Sequence, residues 1–277
     1  MCIRDRNDAS RIEGEKAMDQ MLAINEFALE SCDSGAIYIP NGDNDFYPAL
    51  YLQKVRGVRP DILILHNSLA LLPSFREFYA DEPRVLALFT REEWMDGPLD
   101  SLDPIHWITW RKFDKGEETP KVHVTLMCCF GIPINCYYQQ GITFKIAPSI
   151  DTLEWTALNA KLLKEKFPAE AFSEGWETEI VNRGWNLNSF PLAGNCVMNL
   201  MNYEKAEEAA NLYVELTSIF AGLHRWWMFG LSVAEDLPIE KDFFIDGISE
   251  YFNELETEVS GFDSLLMAQL KEFESEL

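Results

Sequence analysis

Residues 36–66, AIYIPNGDNDFYPALYLQKVRGVRPDILILH, restrict the fold of this chain more than any other stretch. Two short apolar runs rich in β-formers, 36–40 and 61–66, flank a turn-forming N-G-D-N-D and a segment of helical character over 46–56. Gly57 suits the C-terminus of that helix, and Pro60 lies where a strand begins and gives up no ladder hydrogen bond. Strand, helix and strand within about 30 residues make a βαβ unit, which demands a parallel pair with a right-handed crossover. The N-terminal part is therefore expected to be α/β, on a small, mostly parallel sheet.

The flanking segments extend this reading. Residues 9–31 carry an imperfect apolar stripe and end in C-D-S-G, a helix followed by a turn. Short helices are expected at 75–79 and 84–94, then a loop through Pro98 and Pro104, then strands at 122–127 and 142–146. From Thr152 onward every long segment has helical period, with 199–220 and 222–234 reading as a helical hairpin. Tyr203 to Ala209 (YEKAEEA) starts a helix in the manner of a tetratricopeptide unit, although no second copy follows at the repeat spacing.

Charge divides the chain at the same place. Residues 1–149 hold 15 Lys/Arg and 22 Asp/Glu, whereas residues 150–277 hold 8 and 24. The expected organisation is an α/β domain over 7–150 and an acidic, all-α, tetratricopeptide-like domain over 151–277. A net charge of −23 argues against a phosphate-backbone partner, so nucleic acid is excluded as a target class. Apolar residues at 47% and aromatics at 13% argue against a disordered chain. No direct membrane insertion is expected, because the most apolar candidate, 216–234, carries His224 and Arg225 at its centre. The first six residues, MCIRDR, resemble a hexapeptide found at the ends of reading frames assembled from environmental sequencing. They are expected to be a sequencing artefact, with the true N-terminus lost.

One constellation invites chemistry. Asn41, Gly42, Asp43, Asn44 and Asp45 stand where the first strand gives way to a helix, the edge at which open α/β sheets bind ligands. Asp43 and Asp45 have the D-x-D spacing that holds a hard cation such as Mg²⁺ or Mn²⁺ bridging to a diphosphate. Arg59 and Asn67 complete the candidate ligand-binding set. A purely structural use competes with this: Asn-Gly supplies the turn, Asp45 or Asn44 caps a helix starting at Phe46, and Pro48 sits in its first turn. No cofactor is required by any motif, and no catalytic residue is identified. The six cysteines and four histidines show no metal-ligand spacing, and Cys128-Cys129 reads as core filling. Trp226-Trp227 reads as core of the helical hairpin.

The segment from Ala36 to Ser68 resembles the soluble C-terminal region of a bacterial membrane-protein family related to protein O-mannosyltransferases. The matching elements are Asn41 to Asp45, Tyr51-Leu52-Gln53 and Gly57-Val58-Arg59-Pro60-Asp61, with looser similarity around Asn7 to Ser10 and Gly141 to Pro148. Phe46 and Leu50 depart from the family's Thr and Trp. The resemblance implies that glycosyltransfer chemistry belongs to N-terminal transmembrane helices that this chain does not include, making it a fragment. It also implies an extracytoplasmic (periplasmic) location, tethering to a membrane domain in the intact protein, and an acceptor protein or glycan as partner. Three functions follow as expectations: a non-catalytic extracytoplasmic module of a glycosyltransferase-like membrane protein; a metal-dependent enzyme acting on a nucleotide-sugar or phosphate through Asp43 and Asp45; or a helical interaction scaffold.

Overall fold

A computed structural model describes residues 9–97, 104–115, 119–125, 128, 136–169, 180–254, 266–269 and 271. The expected artefact at 1–6 and the core assignment of Cys129 lie outside these residues. The chain divides into two compact units, Met1–Asp151 and Thr152–Leu277.

The first unit opens with helix α1 (Ala9–Glu30), then strand β1 (Ile37–Ile39), helix α2 (Asp43–Val55) and strand β2 (Leu63–Ile64). Short helices α3 (Pro73–Phe78), α4 (Pro83–Leu88) and α5 (Arg91–Asp96) follow, then α6 (Pro104–Lys115) and strands β3 (Val122–Val124), β4 (Tyr137–Gln140) and β5 (Thr143–Ile146). The sheet order is β2-β1-β3-β5-β4. β1 pairs parallel with both β2 and β3, which is the expected βαβ unit. The other half is antiparallel, with β5 between β3 and β4, so the sheet is mixed. α6 occupies what reads as a loop: Pro104 is its first residue, where a missing N–H costs no intrahelical bond.

Every residue of β1, β2 and β3 is buried, so helices cover both faces. One face gathers Ile37, Ile39, Leu63, Val122, Val124 and Ile146 against Val85, Leu88, Phe89, Trp94 and Trp107. The alternate residues, Tyr38, Ile64 and His123, point to the opposite face. There Asp33, just beyond the end of α1, meets His123 Nε2 at 3.0 Å.

Helix α2 starts three residues earlier than its sequence suggests, with Gly42 at the N-cap and no side-chain cap bond. Pro48 therefore falls in the helix interior. It cannot donate to the carbonyl of Asn44, and a donor from another element replaces it: Asn25 Nδ2 of α1 reaches Asn44 O at 3.1 Å. At the other end Gly57, at φ 70°, lets Val58 N–H return to Leu52 O.

The second unit is helical: α7 (Thr152–Lys166), α8 (Ile180–Asn202), α9 (Ala206–Phe220), α10 (His224–Val233) and α11 (Lys241–Glu254). The expected hairpin of 199–220 and 222–234 is present as α9 and α10, but its first arm is broken at Glu204. This residue adopts φ 59° and closes α8, with Lys205 N–H on Leu200 O and Glu204 N–H on Met201 O. That pair of bonds is the Schellman closure, built here without glycine. Trp226 is fully buried and stacks on Tyr213 with ring centres 4.7 Å apart, while its Nε1 donates to Thr217 Oγ1. The core reading of Trp226-Trp227 matches their burial.

Candidate functional site

The C-terminal ends of β1 and β3 form the point where the chain's connections diverge: after β1 it crosses to β2 on one side, then returns to β3 on the other. That geometry opens a crevice above the strand ends in α/β sheets. The Asn41–Asp45 segment leaves β1 at this edge and enters the first turn of α2. Asn67 follows His66 just beyond β2, at the same edge of the sheet.

Asp43 and Asp45 occupy positions i and i+2 of one helix, so their side chains leave it in different directions. Asp43 is 82% exposed, and its Oδ1 lies 3.8 Å from His66 Nε2. Asp45 is partly buried, and desolvation raises its carboxyl to about 6 despite the hydrogen bond that Asn41 N–H donates to it. Burial first, and then the Asp45 charge, also push the fully buried Tyr38 phenol well above its ordinary range. Among the described residues no group of three or more His, Cys, Asp or Glu is arranged to hold a metal ion. The two carboxylates of the D-x-D face different neighbours, Asp43 the His66 ring and Asp45 the Asn41 N–H.

His66 has no counterpart in the sequence reading. It is 5% exposed, and its Nδ1 accepts hydrogen bonds from Ser68 N–H at 3.1 Å and Leu69 N–H at 3.3 Å. Both acceptor contacts assign the proton of the neutral ring to Nε2. The Phe46 ring packs edge-on at 4.7 Å and fixes the imidazole plane. Burial lowers the pKa of His66, and Asp43 only partly opposes it. The result is a neutral imidazole with one N–H aimed at the exposed edge. The signal in the sequence was position alone, since His66 immediately follows the second apolar run.

Arg59 is not part of this constellation. It sits before β2, at the opposite end of the strands, in the left-handed region at φ 45°. Its Nη1 donates to Leu29 O and Cys32 O, its Nη2 to Asp33 O and Asp61 Oδ2, and its Nε to Asp61 Oδ1. Those five bonds use every guanidinium donor and close the C-terminus of α1, leaving none for a ligand.

Beside it lies a buried arrangement with the outline of a catalytic triad. Asp33 Oδ2 is 3.0 Å from His123 Nε2, and His123 Nδ1 is 3.0 Å from Thr143 Oγ1. Thr143 is fully buried and its Oγ1 is engaged by both Gln140 O and His123, so no substrate reaches it. Lys145 Nζ joins Asp33 at 2.8 Å. Burial raises the Asp33 carboxyl, but His123 and Lys145 outweigh it and hold the group below the usual carboxylate range. This cluster ties the end of α1 to β3 and β5.

The outer face of α2 continues the open edge. Tyr47, 54% exposed, follows Asp43 by one helical turn, and Tyr51, 43% exposed, follows Tyr47 by another. The Arg56 guanidinium lies 5.5 Å from the Tyr51 ring centre.

No helix among the described residues is long and apolar enough to cross a membrane. No curated protein and no solved structure matches the chain. One family model does, described as TMEM260-associated domain 2, and it covers residues 21–75, the stretch from α1 through β1, α2 and β2 to the start of α3 that carries the open edge.

Proposed function

We propose that this chain is a non-catalytic, extracytoplasmic module of a glycosyltransferase-like membrane protein. Its β1–α2 edge binds the acceptor, a protein or a glycan, and a separate membrane domain performs transfer. The observation that carries this reading is the coincidence of two things: the TMEM260-associated match over residues 21–75, and the placement within it of exposed carboxylate, amide and tyrosine groups on one helix. Asp43, Asn44, Tyr47 and Tyr51 offer hydrogen-bonding and stacking groups on a rigid element rather than a reactive nucleophile.

Isothermal titration separates this from metal-dependent catalysis through Asp43 and Asp45. Wild type and Asp43→Ala are titrated with Mn²⁺, with and without a nucleotide-sugar. The module reading expects no Mn²⁺-dependent heat in either protein. Saturable nucleotide-sugar binding that requires Mn²⁺ and vanishes in Asp43→Ala would sink it.

A further inference from the structure

The N–H on His66 Nε2 faces Asp43 Oδ1 at 3.8 Å, longer than a direct hydrogen bond. This is a nine-tenths-buried polar side chain aimed at an exposed carboxylate on the N-terminal turn of a 13-residue helix. The surroundings repeat the theme. Buried side-chain atoms without a hydrogen-bond partner include Asn25 Oδ1, Tyr38 OH and Asn67 Oδ1. Asn25 is bonded through its nitrogen to the first turn of α2, Tyr38 senses the charge of Asp45, and Asn67 adjoins His66.

The polarity of these groups selects the ligand. A phosphate is disfavoured, because Asp43 and Asp45 already place negative charge at the positive end of the α2 dipole. A hard cation is disfavoured too, because His66 presents an N–H and not a lone pair. A ligand that both accepts from His66 and donates to Asp43 is a hydroxyl, and two adjacent hydroxyls would span the gap between them. Tyr47 stands one turn from Asp43 on the same helix face, with its ring exposed to stack on an apolar ring face.

We infer that the Asp43–His66–Tyr47 edge is a binding site for a neutral, vicinally hydroxylated ring, a sugar or cyclitol, with Asp43 accepting, His66 donating and Tyr47 stacking. The inference rests on the reading of this edge as the ligand-binding face of the module, and it specifies what that face takes.

The full chain is titrated by NMR with methyl α-D-glucopyranoside, inorganic phosphate and MnCl₂ as separate probes. The pyranoside is expected to shift the His66 imidazole and the Asn44 and Tyr47 amides, saturating at about 1–10 mM, the range of a small two-contact site. Asp43→Ala and Tyr47→Ala are each expected to weaken binding about tenfold with an otherwise unchanged spectrum. Asp43→Asn, which keeps an acceptor, should recover part of that loss. Absence of saturable shifts overturns the site, as does a stronger response to phosphate or Mn²⁺ at the same residues. Acceptor-polypeptide binding is measured on the same sample by calorimetry. If it persists without pyranoside shifts, the sugar site alone is overturned; if both are absent, the module reading falls with it.

Discussion

The two units of this chain hold themselves together by different means. In the α/β unit, side chains reach across the fold to backbone groups at the ends of elements. Arg59 closes α1, Asn25 completes the first turn of α2, and Gln53 donates to Arg59 O and Ile62 O. Buried Arg76 donates to Ala70 O and to Trp94 O near the end of α5, with its guanidinium 5.4 Å from the Trp107 ring centre. In the helical unit several hydroxyls bond only one turn back, as Thr217 to Tyr213 O and Ser249 to Ile245 O. Aromatic rings fill its interior, with Tyr213, Phe220, Trp226 and Phe244 fully buried. The difference follows from element length. Strands of two to four residues leave many backbone donors and acceptors outside any ladder, and these must find side chains. Helices of ten residues or more satisfy most of their own, so packing decides the rest.

The sharpest way to break this contrast is to remove the largest ring. Trp226→Ala is expected to destabilise the helical unit by about 3–5 kcal/mol, leaving hydrogen-exchange protection in β1 and β3 unchanged. Loss of protection in both units would show that the contrast is false. Arg59→Lys should act on the other unit alone. It keeps the charge but loses the bidentate Asp61 contact and the closure of α1, at a cost of about 1–3 kcal/mol in denaturant unfolding.

Acid should discriminate the units next. His123 is buried and neutral, its pKa lowered first by desolvation, with Asp33 opposing and Lys145 and Arg59 adding to the shift; Cys32 and Thr143 also face the cluster. The unfolded chain then binds more protons than the folded one as pH falls below about 6.5, so stability drops there, by at most about 1.4 kcal/mol per pH unit for one proton. Asp45 works in the opposite sense. Its folded carboxyl titrates near 6, so between about pH 4 and 6 acidification favours the folded state. Asp45→Asn should therefore steepen the acid loss of the α/β unit, and His123→Gln should flatten it, as read from melting temperature against pH. The smallest effect is a coupling. Asn25→Ala is expected to cost about 1 kcal/mol, and less in a Pro48→Ala background, where residue 48 supplies its own donor to Asn44. Additive losses would mean that Asn25 does not replace the proline's missing bond.

The βαβ unit was legible because Gly57 and Pro60 punctuate it and its strands are apolar throughout. α6 was not, because two prolines read as a loop when Pro104 instead begins the helix. β4 was hidden because YYQQ has no apolar alternation and is specified by its pairing with β5. The break between α8 and α9 leaves no mark in the sequence, because glutamate rarely adopts the conformation that ends a helix. At the candidate edge, the position of Asn41 to Asp45 was readable from the strand–helix junction. The role of His66 was not, because the tautomer that makes it a donor is set by Ser68 and Leu69 only after the chain turns.

The bond between Asn25 and Asn44 also orders events along the chain. A helix interrupted by Pro48 lacks one of its early hydrogen bonds, and helix initiation is its costliest step. The first turn of α2 therefore gains its full complement only once α1 has arrived beside it, which makes α1 a template for the very turn that presents Asp43. A peptide of residues 41–58 alone should be helical only beyond Pro48, and a peptide of residues 9–58 should extend that helix back to Asp43.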